Sequence, residues 1–219
     1  MRLERKRIAP VIVAVMATVL LGHANSAAAP APDEKDFSGR PAGLKITTGL
    51  PAVMEPRAAA SGSRTLWYFQ RVQEFNQWCW AADGASIANY HGRAINQNEY
   101  CKLVHGVGPK GKCPNENASL EEVATAFGKL GFNASVGSPF SMATIADEIS
   151  SNRPILTGIA WAAGGGHAQV IYGYDADAGT ITYGDPWPSA QRRVTQTLTS
   201  YTQNSQWIWF GEDYRIMKK

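Results

Sequence analysis

Gln73-Glu74-Phe75-Asn76-Gln77-Trp78-Cys79-Trp80-Ala81-Ala82 is the stretch on which the reading of this 219-residue chain turns. A single cysteine stands between two tryptophans, directly before small and helix-favouring residues. If residues 81–90 form a helix, Cys79 lies at its N-terminus, where the macrodipole and free backbone N–H groups favour a thiolate. That converts a weak nucleophile into a useful one near neutral pH. The competing reading is a buried, inert cysteine, since a free thiol also packs well in a core.

Cysteine arithmetic bears on the choice. The chain has three cysteines, and Cys101 and Cys113 flank a loop rich in glycine and lysine. Closing that loop as a disulfide stabilises a fold by about 3 kcal/mol in the chain-entropy model, and it leaves Cys79 unpaired. An oxidising compartment is itself expected. Residues 1–26 read as a secretory signal: Arg2, Arg5, Lys6 and Arg7 form a basic start, an apolar stretch follows to Leu21, and small residues offer a cleavage site near Ser26. The apolar stretch is shorter than the roughly 20 residues of a spanning helix. The mature chain is therefore expected to be secreted or periplasmic, with no membrane partner after cleavage. The signal holds four of the 21 basic and one of the 18 acidic residues, leaving 17 of each. A balanced mature chain gives no electrostatic case for nucleic acid.

Residues 27–63, rich in Ala, Pro and Gly without sustained periodicity, read as a linker or pro-segment, and 64–219 as one domain. Residues 64–75 are aromatic and β-branched and suit a strand leading into the cysteine turn. Helices are expected from Cys79 to about Gly92, over 98–105, after the capping box Ser119-Leu120-Glu121-Glu122, and after Ser141. Beyond Pro154 the period changes. Residues 155–161, 167–174 and 180–183 read as strands, the last two joined as a hairpin by Asp175-Ala176-Asp177-Ala178-Gly179. A short helix over 198–203 and strands over 207–210 and 213–216 complete the chain. Helices first and antiparallel strands second describe an α+β fold.

The hairpin brings chemistry together. His167 opens its first strand after Gly164-Gly165-Gly166, and Asp185 ends its second, so the two are expected to be neighbours. Asp185 can then accept from one imidazole nitrogen and fix the tautomer. Gln73, six residues before Cys79, offers a side-chain amide that can stabilise an oxyanion beside the Cys79 backbone N–H; Gln70 and Gln77 compete for that role.

Gln73, Cys79-Trp80-Ala81-Ala82, Gly166-His167, Gly173-Tyr174 and Asp185-Pro186 together resemble the bacterial papain-like cysteine proteases, in the branch of the avirulence-effector proteases, with the bacteriocin-processing peptidases as more distant relatives. The resemblance spans residues 72–216. It implies a papain-like fold with the active site in a cleft between a helical half and a sheet half. It also implies roles: Cys79 as nucleophile, His167 as general base and acid, Asp185 as orienting residue and Gln73 as oxyanion donor, acting on a protein or peptide substrate without a cofactor. Trp78, Gly165 and Gly166 are expected to line the substrate cleft.

Other readings stay open at this level. Cys101, His105 and Cys113 resemble a zinc site only loosely, with three ligands and unusual spacing, so no metal is expected. The same Cys-His-Asp set can pass an acyl group to an amine or cut a cell-wall peptide amide, and a secreted binding module can keep the fold without activity.

Overall fold

The computed structural model describes residues 35–47 and 60–219. The expected signal at 1–26 lies outside the described residues, as do 27–34 and 48–59 of the segment read as linker or pro-segment. None of the described helices is long and apolar enough to cross a membrane.

The domain is α+β. Its elements are β1 (Ser63–Thr65), α1 (Cys79–Tyr90), α2 (Gln97–His105), α3 (Leu120–Lys129), β2 (Phe132–Gly137), α4 (Met142–Ser150), β3 (Ile155–Trp161), β4 (Gly166–Asp175), β5 (Thr180–Gly184), β6 (Val194–Thr197), α5 (Leu198–Thr202) and β7 (Trp207–Lys218). The strands form one antiparallel sheet in the order β2-β7-β3-β4-β5-β6, with β1 paired to the C-terminal end of β4. Strand alternation sends successive side chains to opposite faces. Leu156, Ala168 and Val170 join the cluster formed with α1, α2 and α3. Ile155, Ile159 and Ile171 join a second cluster with α4 and α5.

Local signals explain most of these boundaries. Asn96 and Ser119 start α2 and α3 with reciprocal capping boxes to Glu99 and Glu122. Gly131 ends α3 at a φ of 84°, a conformation glycine adopts without steric cost. Cys101 and Cys113 are bonded, with Cα atoms 6.1 Å apart. This ties α2 to the Pro114–Ala118 stretch, where the Pro114 carbonyl accepts Trp78 Nε1 at 2.9 Å. The bond also consumes two of the three residues that resembled a zinc site. Converting both cysteines to alanine is expected to lower the unfolding free energy by about 3 kcal/mol, read as a shifted midpoint in urea with an unchanged slope.

Three elements differ from the sequence reading. The strand expected over 64–75 pairs as a ladder only at 63–65. Beyond it the backbone stays extended, with Leu66 and Gln70 buried and Trp67 and Phe69 exposed. Its hydrogen bonds are widely spaced, from the Leu66 N–H to Tyr172 and from the Gln73 N–H to Pro186. The stretch read as wholly helical contains β2, which adds to the sheet edge through β7. The two strands expected at the C-terminus are one, because Gly211-Glu212-Asp213 continues the ladder between β2 and β3.

Candidate active site

Cys79 is the first residue of α1, and Trp78 at the N-cap makes no side-chain cap, so the first backbone N–H groups of the helix point to the sulfur's end without a competing side-chain acceptor. The tryptophans on either side anchor this helix start. Trp78 Nε1 donates to Pro114, its ring packs edge-on against Phe75 at 4.4 Å, and Trp80 Nε1 donates to Glu116. Trp78, expected along the cleft, is thus a core residue, with 1% of its surface exposed. A ring of that size beside a helix start gains more by filling the interior than by facing solvent.

The hairpin positions the imidazole. β4 and β5 pair from Val170–Gly184 to Asp175–Thr180, which sets residue 185 beside the beginning of β4. His167 Nε2 lies 2.9 Å from Asp185 Oδ1. The same carboxylate oxygen accepts the Trp187 backbone N–H at 2.8 Å, and Oδ2 accepts Gln169 Nε2 at 2.8 Å. Arg192 secures the loop from the other side, donating to the carbonyls of Asp185, Trp187 and Pro188. Trp161 stacks on the His167 ring at 5.9 Å.

With Nε2 taken by Asp185, Nδ1 is the nitrogen left for the Cys79 sulfur. Nδ1 is buried and makes no hydrogen bond as the chain stands. Burial opposes charge on this ring, but the Asp185 carboxylate and the Cys79 sulfur outweigh it and raise the His167 pKa to about 10. Asp185 is desolvated too, yet the imidazolium and its two N–H donors hold the carboxyl below the usual range. Each group sustains the other's ionised form across neutral pH.

The three glutamines separate clearly. Gln70 is consumed by structure, donating to Asp83 Oδ1 at 2.7 Å and to the Arg71 carbonyl. Gln77 donates its backbone N–H to Asn115 Oδ1, and its side-chain oxygen is buried without a hydrogen bond. Gln73 is buried, with its side-chain nitrogen donating to the Phe75 carbonyl at 2.8 Å and its backbone N–H to Pro186. That double tether holds the amide between the cysteine turn and the loop after Asp185.

Besides Arg192, two side chains escaped the sequence reading. Gln169 lies two residues beyond His167, on the same face of β4, and the strand's period of two was the signal that could have found it. Asp83, one helical turn after Cys79, is fully buried and bonded to Gln70. Burial drives its carboxyl well above the ordinary range, against the opposing pull of His167 and the Gln70 hydrogen bond.

The sequence profile of the papain-like cysteine protease AvrRpt2 family matches residues 60–206, two-thirds of the chain and all of the site. The chain belongs to that family. This papain-like cysteine protease also resembles, in fold, the peptidase domain of Streptococcus ComA, a bi-functional ABC transporter involved in quorum sensing. That match has a TM-score of 0.53 at 18% identity and covers 69% of this chain and 99% of that domain. Xylellain, a cysteine protease from Xylella fastidiosa, matches with a TM-score of 0.46 at 12% identity, over 82% of this chain and 97% of its own. A C39-like peptidase from Bacillus anthracis gives 0.46 at 14%, over 69% and 95%. No match is found among curated proteins. As a protease, the chain has proteins or peptides as its substrate class.

Proposed function

We propose that this papain-like protease is an exported peptidase that hydrolyses peptide bonds through a Cys79-His167-Asp185 triad and a thioester acyl-enzyme. The observation that carries the reading is the imidazole of His167. It is pinned at Nε2 by a carboxylate held by two further donors, while its second nitrogen is left without a bond beside the only free thiol among the described residues. The Cys79 thiolate attacks the substrate carbonyl carbon, and the peptide C–N bond breaks as His167 passes a proton to the departing amine. Water then loses a proton to His167, attacks the thioester and returns the thiol. The Cys79 N–H at the open helix start and the Gln73 amide stabilise the oxyanion in both steps. Asp185 keeps the imidazole oriented throughout, and Gln169 and Arg192 act through Asp185. Export rests on the N-terminal sequence pattern and accords with the Cys101–Cys113 disulfide.

Digestion of a diverse peptide pool in ¹⁸O-water, with an added primary amine, tests the proposal by mass spectrometry. New C-termini carrying ¹⁸O are expected, and replacing Cys79 with alanine should abolish them. Amine-capped termini in place of ¹⁸O-labelled ones would make the enzyme an acyl transferase, and no new termini from a chain with an accessible thiol would remove the activity altogether.

A further inference from the structure

Cys79 has 0% of its surface exposed, while Trp67, earlier on the same connection, has 99% and Phe69 has 78%. The extended backbone beyond β1 produces this contrast. Successive side chains alternate, so Leu66 and Gln70 turn into the protein and Trp67 and Phe69 turn out of it together. Rings of this size are stabilised by burial, and an exposed pair on one face marks a surface that meets something else.

The groove beside the two rings shows what that is. Trp67 and Phe69 form one wall of a cavity of about 650 Å³, and Arg71, the last turn of α1 and the turn after α4 form the other. The second wall is polar and has bonding capacity left over. Asn89 donates its NH₂ to the Ala85 and Ile95 carbonyls, which leaves its oxygen as an acceptor. Asn152 accepts Arg64 on its oxygen, which leaves its NH₂ as a donor. Arg71 gives one guanidinium N–H to the Ile95 carbonyl and has others remaining, and Tyr90 adds a phenol to the same wall. Among the described residues, no aliphatic side chain and no acid lines this groove.

That lining selects a chemistry. An apolar peptide side chain would find no aliphatic pocket, and a single guanidinium is too little positive charge to track a phosphate backbone. A pyranose matches both walls. Its flat C–H faces stack on aromatic rings, and its rim of hydroxyls exchanges hydrogen bonds with amides and guanidinium groups. In a β-linked chain these faces repeat along a nearly flat ribbon. Two rings two residues apart on an extended backbone, with Cα atoms about 7 Å apart, offer successive platforms to such a ribbon.

We infer that the groove between Trp67-Phe69 and the end of α1 binds a saccharide, with β-linked oligosaccharides as the class it fits. Asn89 follows Cys79 by ten residues in α1, about 15 Å along the helix axis, so a glycan held there leaves the thiol cleft free. The groove anchors the chain to a glycan and takes no part in hydrolysis, so it stands or falls separately from the peptidase reading.

Calorimetric titration of the full chain with the β-1,4-linked tetramers of N-acetylglucosamine and of glucose tests this, with the α-1,4-linked glucose tetramer beside them. Saturable binding of at least one β-linked tetramer is expected, and weaker binding of the curled α-linked one. Trp67→Ala should weaken binding by about tenfold or more, the loss that removing one stacking ring brings, and Phe69→Ala should weaken it less. Both side chains are so exposed that the melting temperature should not move. Asn152→Gly takes the amide off the opposite wall at a φ of 58°, which glycine adopts without cost, and should weaken binding too. Peptide cleavage should run at the same rate with and without saturating tetramer. A chain that binds through Trp67 but cleaves nothing keeps this site and loses only the peptidase. Binding that survives Trp67→Ala overturns the assignment, as does the absence of binding to all three tetramers. Competition between tetramer and peptide substrate overturns it as well, by moving the sugar into the catalytic cleft. Capture of a proline-rich peptide through Trp67, with no tetramer bound, would give the groove to a peptide instead.

Discussion

Replacing His167 with glutamine is expected to lower kcat/KM by about four to six orders of magnitude, with the fold intact. The choice of glutamine isolates the chemistry. Its side-chain nitrogen reaches about as far as the imidazole Nε2, so it can still donate to Asp185 Oδ1, now 2.9 Å from the histidine. Nothing then leaves Asp185 as a buried, unpaired charge, which is the usual reason such a variant unfolds. What glutamine lacks is any atom that takes or gives a proton at the Nδ1 position. The assay compares the variant and the parent chain on the same peptide at the same pH. Near-wild-type turnover by a folded His167→Gln chain would exclude this imidazole as base. Asp185→Asn should be milder, about 10²–10⁴-fold. Whichever way the amide turns, its NH₂ faces donors, either His167 Nε2 and the Trp187 N–H or Gln169 Nε2, and at least one bond is lost.

Glu212→Gln is expected to stabilise the protein, and to do so increasingly as pH rises. Glu212 sits in mid-strand on β7, paired to Gly137 on one side and Thr157 on the other. Both of its carboxylate oxygens are buried without a hydrogen bond. Burial pushes its pKa from the ordinary 4.5 up to about 9. A carboxyl raised in the folded state carries no penalty below the unfolded value near pH 4.5. As pH climbs toward 9 the unfolded chain ionises freely while the folded chain must hold its proton, and stability falls. Glutamine fills the same volume and cannot titrate. The two chains should therefore melt together at pH 4.5 and diverge above it. At pH 8 the difference should reach about 2–4 kcal/mol, or roughly 5–15 °C in melting temperature for a domain of this size. Equal melting temperatures at pH 8 would mean that water or a partner satisfies the carboxylate. Asp213, next along the strand and also buried without a bond, is raised by burial and by the charges of Glu121 and Glu212, so removing the Glu212 charge eases its ionisation too and adds to the difference in the same direction.

The parts of this structure legible in the sequence were those set by neighbours in the chain. The helix start at Cys79, the capping box at Ser119 and the turn after Asp175 are each decided within a few residues, and the hairpin carried the His167–Asp185 contact with it. The parts that were not legible depend on distant partners. β2 has little apolar character beyond Phe132 and is a strand only because β7, some eighty residues later, presents an edge to it. Gly211-Glu212-Asp213 has the composition of a turn, and two flanking strands hold it extended at the cost of two buried acids. Residues 64–75 have the composition of a strand, but beyond Thr65 no ladder forms with it. The same holds at the site. Gln169 and Arg192 are ordinary polar residues until the loop after Asp185 folds between them, and residues 35–47 have no periodicity of their own because distant residues, Ala118, Trp161 and Gly166, hold them.

The sealed sulfur has a further consequence for the protein's chemistry before it meets any target. A thiolate at the mouth of an open groove is the group that peroxide converts to sulfenic and then irreversibly to sulfinic acid, and the group that exchanges with any disulfide it encounters. With Cys79 wholly covered, neither oxidant nor foreign disulfide can reach it. The free thiol is thereby kept in its reduced form for as long as it stays buried.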